Sequence, residues 1–281
     1  MLVFVNGRLV PEEQALLSVF DRGFLYGDGL FETLRVVHGK PFRWSQHLER
    51  LERGAEFLKL KLPCAPDEMR RWANELIVQN QMPESVLRLT LSRGVGVRGY
   101  SPKGAGPPTL VMSLHPAPAA DPQNPPRWRV ITSSFRVPVD EPLMNLKTCN
   151  KLPQILARAE AEAMGVDEAL LLNTSGEVAE AAGSNLFWIG NGVVWTTPLA
   201  AGVLAGVTRA VVLELCQRLG LVAEEASITP QALAKSDSAF LSSSALGLVE
   251  VAEVDGLKLG RLPLTKKLQR AFEELVQQES V

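Results

Sequence analysis

Cysteine and histidine are scarce in this chain, long apolar runs are missing, and neither charge sign dominates. Cys64, Cys149 and Cys216 are odd in number and widely scattered, which argues against a disulfide framework. His38, His47 and His115 are equally dispersed and lack ligand spacing, so no structural metal is expected. The longest apolar runs fall far short of a membrane span, and the first residues show no basic head followed by an apolar signal. Lysine and arginine number 29 against 31 acids, leaving no broad basic face for nucleic acid. These absences together predict a soluble, reduced, cytoplasmic protein without a membrane or nucleic-acid partner. Its 281 residues are enough for one large or two medium domains, each with its own core.

The stretch from Asn145 to Phe187 carries the chemistry. Lys147 precedes a predicted helix in which Leu152, Ile155, Leu156 and Ala159 recur at three- and four-residue steps. Ala169–Leu172 then reads as a short buried strand, ended by the turn Asn173-Thr174-Ser175-Gly176. Glu180 follows, beside Ala181-Ala182-Gly183-Ser184, residues read as too short-chained to pack a core. One lysine entering a helix and one acid beyond a hairpin could address a common cleft.

This stretch resembles the fold type IV pyridoxal-phosphate enzymes: branched-chain aminotransferases, D-amino-acid aminotransferases and aminodeoxychorismate lyases. Their pattern is a Schiff-base lysine before a helix, then an acid, small residues and Asn-hydrophobic-Phe, matched here by Lys147, Glu180 and Ser184-Asn185-Leu186-Phe187. Lys147 and Glu180 stand 33 positions apart, as the family requires; Lys151 and Glu177, the nearest competitors, are expected to face solvent. The resemblance implies an α+β fold type IV architecture like that of D-amino-acid aminotransferases. A small N-terminal α/β domain (1–115) would precede a linker (116–127) and a larger, barrel-like α/β domain (128–281). It also implies bound pyridoxal 5'-phosphate and a homodimer whose neighbouring subunit completes the site.

Further motifs fit along the chain. Asn6-Gly7 predicts an opening hairpin. Asp21–Gly29 is a glycine-rich turn, a plain hairpin loop by itself but part of the active-site mouth by resemblance, leading into a strand from Phe31. Ser45–Leu58 reads as a helix capped by Ser45 with Leu48, Leu51, Ala55 and Leu58 on one face. Arg50 lies off that stripe: a solvated arginine on sequence alone, a phosphate ligand in the family pattern His47-Leu48-Glu49-Arg50-Leu51. The loop Arg93–Ser101 suits an anion or plain solvation equally well. Its Arg98-Gly99-Tyr100 looks most like the lyases, which implies that Arg98 and Tyr100, with Phe31, contact substrate carboxylates or the ring.

A helix opening at Leu204-Ala205-Gly206-Val207-Thr208-Arg209 exposes unpaired N–H groups that favour an anion. The family uses this Gly-Val-Thr-Arg motif for phosphate, through Val207 and Thr208. Ser243 and Ser244 would add hydroxyls at a strand end, and Ala245 would border the substrate. Ser244-Ala245-Leu246 is nearer to the lyases than to the aminotransferases.

The expected chemistry starts from a lysine amine of pKa ~10.4 in water, which burial beside cations must lower by about three units, ~4 kcal/mol, to make it nucleophilic. Glu180 would keep the pyridine nitrogen protonated and Lys147 would act as general base. The favoured activity is 4-amino-4-deoxychorismate lyase, giving 4-aminobenzoate and pyruvate for folate biosynthesis. The alternative is an aminotransferase for D-amino acids, branched-chain amino acids or amines.

Overall fold

The computed structural model describes residues 1–118 and 125–280. Its contacts divide the chain into two compact units: Met1–Pro118 with Leu146–Asn150 and Val276–Val281, and Ala119–Asn145 with Lys151–Leu275. Half of the expected linker, residues 119–124, lies outside the described residues. On either side of them, strands end at Pro116 and begin at Arg127.

The first unit opens with β1 (Leu2–Val5) and β2 (Arg8–Pro11), joined by Asn6 and Gly7 at φ 47° and 89°, the paired positive angles of a tight hairpin. Then come α1 (Arg22–Tyr26), β3 (Gly29–Val37), β4 (Lys40–Pro41), α2 (Trp44–Phe57), α3 (Pro66–Gln79), β5 (Ser85–Ser92) and β6 (Thr109–Pro116). The six strands form an antiparallel sheet in the order β2-β1-β6-β5-β3-β4. Alternate residues Leu87, Leu89 and Leu91 of β5 point into one core with Leu48 and Leu51 of α2 and Met69 and Leu76 of α3.

Two local expectations change in this unit. The turn at Asp21–Gly29 contains α1, because the Asp21 carboxylate accepts the Gly23 N–H at 2.7 Å and caps a helical turn. Ser45 does not cap α2; the helix starts one residue earlier, behind Arg43 in a left-handed conformation (φ 55°).

The second unit contains β7 (Arg127–Val137), α4 (Leu152–Ala163), β8 (Glu168–Asn173), β9 (Val178–Ala181), β10 (Asn185–Gly190) and β11 (Val193–Thr196). It continues with α5 (Val207–Arg218), β12 (Ala223–Glu225), α6 (Pro230–Leu233), β13 (Ser238–Ser243), β14 (Gly247–Val254), β15 (Leu257–Lys258) and most of α7 (Pro263–Glu279). Its mixed sheet runs β12-β11-β10-β13-β14-β7-β8-β9, with β15 beside β14. The β7–β8 and β14–β7 pairs are parallel.

Here too the residues rearrange two expectations. Ala181 is fully buried in a core with Leu170, Leu186 and Leu241, so the first of the small residues after Glu180 does pack, while Gly183 is exposed. Gln154, Ala157 and Ala161 form the buried face of α4, while Leu152, Ile155, Leu156 and Ala159 are exposed. Both stripes have helical spacing; the sheet takes the one whose alanines allow a close approach. Among the described residues, no helix is long and apolar enough to cross a membrane.

Candidate active site

In the first unit the site grows from β3. The Phe31 N–H donates to the Lys147 carbonyl and the Cys149 N–H to the Gly29 carbonyl, both at 2.9 Å, so residues 147–149 add a short rung to the strand. These bonds place the Lys147 segment in the first unit, whereas the expected boundary put it in the C-terminal domain. Lys147 Nζ lies 4.7 Å from the centroid of the Phe31 ring, and Arg88 Cζ lies 4.1 Å from it. Two cations therefore share one aromatic ring. Arg88 is half-buried, and burial lowers its pKa against the opposing influence of Cys149. No carboxylate or carbonyl among the described residues pairs with its guanidinium.

Glu32, fully buried, anchors a second group. Arg50 donates from Nε (2.8 Å) and Nη2 (2.6 Å) to its two oxygens, and His47 Nδ1 lies 2.6 Å from Oε2. Burial pushes the Glu32 carboxyl up, but the Arg50 fork and His47 outweigh it and hold the pKa down to about 2. His47 is lowered too, but there burial, helped by the charges of Arg50 and Lys147, wins over the pull of Glu32. At neutral pH the pair is a carboxylate and a neutral imidazole whose Nδ1–H donates. Arg50 is 5% exposed, which rules out the reading of a solvated surface arginine.

The loop after β5 is also placed in this unit. Arg93 bonds Asp28 at 2.8 Å and the carbonyls of Leu58 and Lys59, bracing the backbone. Arg98 and Tyr100 are exposed. Asp28 is drawn below its ordinary pKa because Arg93 and Arg22 overcome the effect of burial.

In the second unit Glu180 sits on β9, 8% exposed, its Oε2 accepting from Asn185 Nδ2 and the Leu204 N–H at 3.0 Å each. Asn185 also donates to the Leu204 carbonyl at 3.0 Å, tying the acid to the segment that opens α5. That segment needs a glycine: a Cβ on Gly206 would stand 1.9 Å from Asn185 Oδ1. No side chain caps α5, and Val207 and Thr208 form its buried first turn. Thr208 Oγ1 and Ser244 Oγ lie 3.5 Å apart, with Ser243 and Ala245 flanking at the β13–β14 turn. Arg209, next in the motif, instead pairs with Glu225 and the Thr197 carbonyl.

Thus Lys147, Phe31 and Arg50 belong to the first unit, with Arg98 and Tyr100 on its loop. Glu180, Val207, Thr208, Ser243, Ser244 and Ala245 belong to the second. An uncapped helix start beside two hydroxyls suits a phosphate, and a buried, oriented carboxylate suits a protonated ring nitrogen. The donor set fits pyridoxal phosphate. Sequence reasoning missed Arg88 and the anchoring by Glu32 and Asn185. For Arg88 a signal existed: it is the one charge in the strand run Val86 to Leu91, on the same face as Thr90.

This lysine, this buried acid and this uncapped helix start are the features of pyridoxal-phosphate enzymes of fold type IV, the class to which the chain belongs. The amino-transferase class IV family model matches residues 29–254, and the chain belongs to that family. A Methanocaldococcus jannaschii protein provisionally described as a branched-chain-amino-acid aminotransferase is 36% identical, over 98% of this chain and 96% of its own. The aminodeoxychorismate lyase of Bacillus subtilis is 30% identical, over 92% of this chain and 88% of its own. Among solved structures, the T.th. branched-chain amino acid aminotransferase complexed with N-(5'-phosphopyridoxyl)-L-glutamate is 28% identical, with a TM-score of 0.89, over 99% of this chain and 94% of that one.

Proposed function

We propose that the chain is an aminotransferase that exchanges an amino group between a dicarboxylic amino acid of the glutamate type and an apolar amino acid. This replaces the lyase as the leading reading. The observation that carries it is Arg88, a half-buried guanidinium stacked on Phe31 beside Lys147 with no anion of its own among the described residues. Such a planar cation is matched by a carboxylate. A substrate with a second carboxylate satisfies it, and an apolar side chain can lie on the Phe31 face. The related T.th. enzyme, solved with a phosphopyridoxyl-glutamate, accommodates the first of these substrate types.

In this reading Lys147 carries the cofactor and then moves a proton at the carbon bearing the substrate amine. Glu180, oriented by Asn185, holds the ring nitrogen protonated. Val207, Thr208, Ser243 and Ser244 bind the phosphate together with Arg50, whose guanidinium Glu32 orients. Phe31, Arg98, Tyr100 and Ala245 border the substrate. When bound, pyridoxal phosphate supplies the electron-accepting ring that makes that carbon acidic.

The lyase remains the second reading, favoured by Arg98-Gly99-Tyr100 and Ser244-Ala245-Leu246. Incubation with L-glutamate, L-leucine or D-alanine and a keto acid is set against incubation with aminodeoxychorismate alone. Product that forms only when a keto acid is present supports the aminotransferase. Stoichiometric pyruvate and 4-aminobenzoate without one overturns it in favour of the lyase.

A homodimer is part of the proposal. Leu152 and Ile155 of α4 are 63% and 61% exposed, and on the first unit Leu16, Phe20 and Phe24 are 81%, 63% and 75% exposed. Large apolar side chains left exposed on each unit suit surfaces that a second copy covers. Ile155→Glu should shift the mass measured by light scattering towards one chain; a wild type already of single-chain mass would sink the idea.

A further inference from the structure

The loop that carries Arg98 and Tyr100 is held by a side chain that no motif assigns. Arg22, in α1, is only 3% exposed although every atom it bonds belongs to a surface segment or to Asp28. Its Nη1 donates to the carbonyls of Gly99 (2.9 Å) and Ser101 (3.1 Å), and its Nη2 to that of Tyr100 (3.2 Å). Three consecutive carbonyls thus converge on one guanidinium. Nε bonds Asp28 at 2.8 Å, fixing the plane of the fork.

Tyr26, one turn along α1, completes the cradle. Its hydroxyl accepts the Gly99 N–H at 2.9 Å, and its ring lies 5.0 Å from Arg22 Cζ and packs edge-on to Tyr100. Two backbone bonds, Arg22 N–H to Gly94 and Gly96 N–H to Phe20, zip the start of the same loop to the same segment. At Gly96 a Cβ would meet Arg22 Cδ at 2.9 Å, so the loop lies directly on the arginine stem. Gly99, at φ 118°, makes the bend that turns three carbonyls inwards. The same bend leaves the Tyr100 side chain 89% exposed.

We propose that Arg22 is a positioning residue for substrate selection: with Tyr26 and Asp28 it fixes the backbone of residues 99–101 and so sets where Arg98 and Tyr100 stand. This rests on the reading of Arg98 and Tyr100 as substrate contacts. A loop with glycines at 96 and 99 otherwise samples many paths, and ordering it beforehand removes that cost from binding. A packing arginine could be replaced with a general loss of stability. One committed to three carbonyls of a recognition loop acts on affinity for one class of substrate.

The test uses holoenzyme carrying Arg22→Lys, which keeps the charge on Asp28 but loses the fork, or Tyr26→Phe, which keeps the ring but loses the acceptor. Glutarate binding, followed by cofactor absorbance, should weaken about tenfold in R22K and about threefold in Y26F. The kcat/KM ratio of L-glutamate to L-leucine should fall in parallel through KM, with kcat within about twofold. Trypsin cleavage after Arg98, mapped by mass spectrometry on enzyme without substrate, should accelerate by similar factors. Equal losses for glutamate and leucine, or unchanged cleavage in both variants, overturn the proposal. Arg98→Ala serves as the separate control. If it leaves glutarate binding intact while R22K weakens it, the reading of Arg98 fails and the role of Arg22 stands.

Discussion

Replacing Glu32 by glutamine tests the buried charge cluster in the first unit, and its size follows from the structure. Glu32 is fully buried, accepts both arms of Arg50 and the ring of His47, and has a pKa held down from 4.5 to about 2. At about 1.36 kcal/mol per pH unit, that depression corresponds to about 3 kcal/mol of stability at neutral pH. The sign follows from a folded pKa below the unfolded one. The contribution is complete above about pH 5.5 and falls as the pH drops through the unfolded value towards 2. Glu32→Gln also strands Arg50 in the interior, a change that costs about 3–5 kcal/mol when one partner of a buried pair is lost. Urea unfolding of wild type and E32Q should therefore differ by a few kcal/mol at pH 7. At pH 3 the unfolded wild type has already taken up its proton, so the gap should narrow by about 2 kcal/mol. A gap of the same size at both values would refute the claim that Glu32 is ionised and paired in the folded chain, as would a variant as stable as wild type at pH 7.

Lys147→Ala should yield a colourless protein where the wild type is yellow, checked by absorbance after purification with excess cofactor. A variant that keeps the wild-type spectrum would remove Lys147 from the site. Gly206→Ala should place a Cβ 1.9 Å from Asn185 Oδ1, displacing the amide that orients Glu180. The cofactor should then dissociate at least tenfold more readily in dialysis, with the fold kept by circular dichroism. Arg88→Ala should raise KM for L-glutamate by tenfold or more, about 1.4 kcal/mol, and leave that for L-leucine within about threefold. Equal effects on both amino acids would show that Arg88 supports the ring of Phe31 and does not read a second carboxylate.

Much of the site was legible because its chemistry is written in local order. Lys147 before a helix, Glu180 followed by Asn185, and Gly206-Val207-Thr208 at a helix start each need only neighbours in sequence to be recognised. The hairpin at Asn6-Gly7 was legible for the same reason: paired positive φ angles select those residues. What was not legible depends on which of two acceptable faces the tertiary structure takes. In α4 the stripe Leu152, Ile155, Leu156 satisfies helical spacing as well as Gln154, Ala157, Ala161 does, and only the sheet decides between them.

The same limit separates the lyase reading from the aminotransferase reading. The loop Arg98-Gly99-Tyr100 is contiguous and therefore conspicuous. Arg88, an isolated charge in an apolar strand, gains meaning only when β3 brings Phe31 beneath it and the Lys147 rung beside it. Arg22 is hidden in the same way, more than seventy residues from the three carbonyls it holds. In the proposed reading, selectivity is carried by arginines whose partners are distant in sequence, and the shared machinery by motifs that are short. Exchanging loop residues 98–100 alone should then move substrate preference less than changing Arg88. The kcat/KM ratios of the two sets of variants, measured side by side, decide it. A loop exchange that by itself converts the preference would overturn this division of labour.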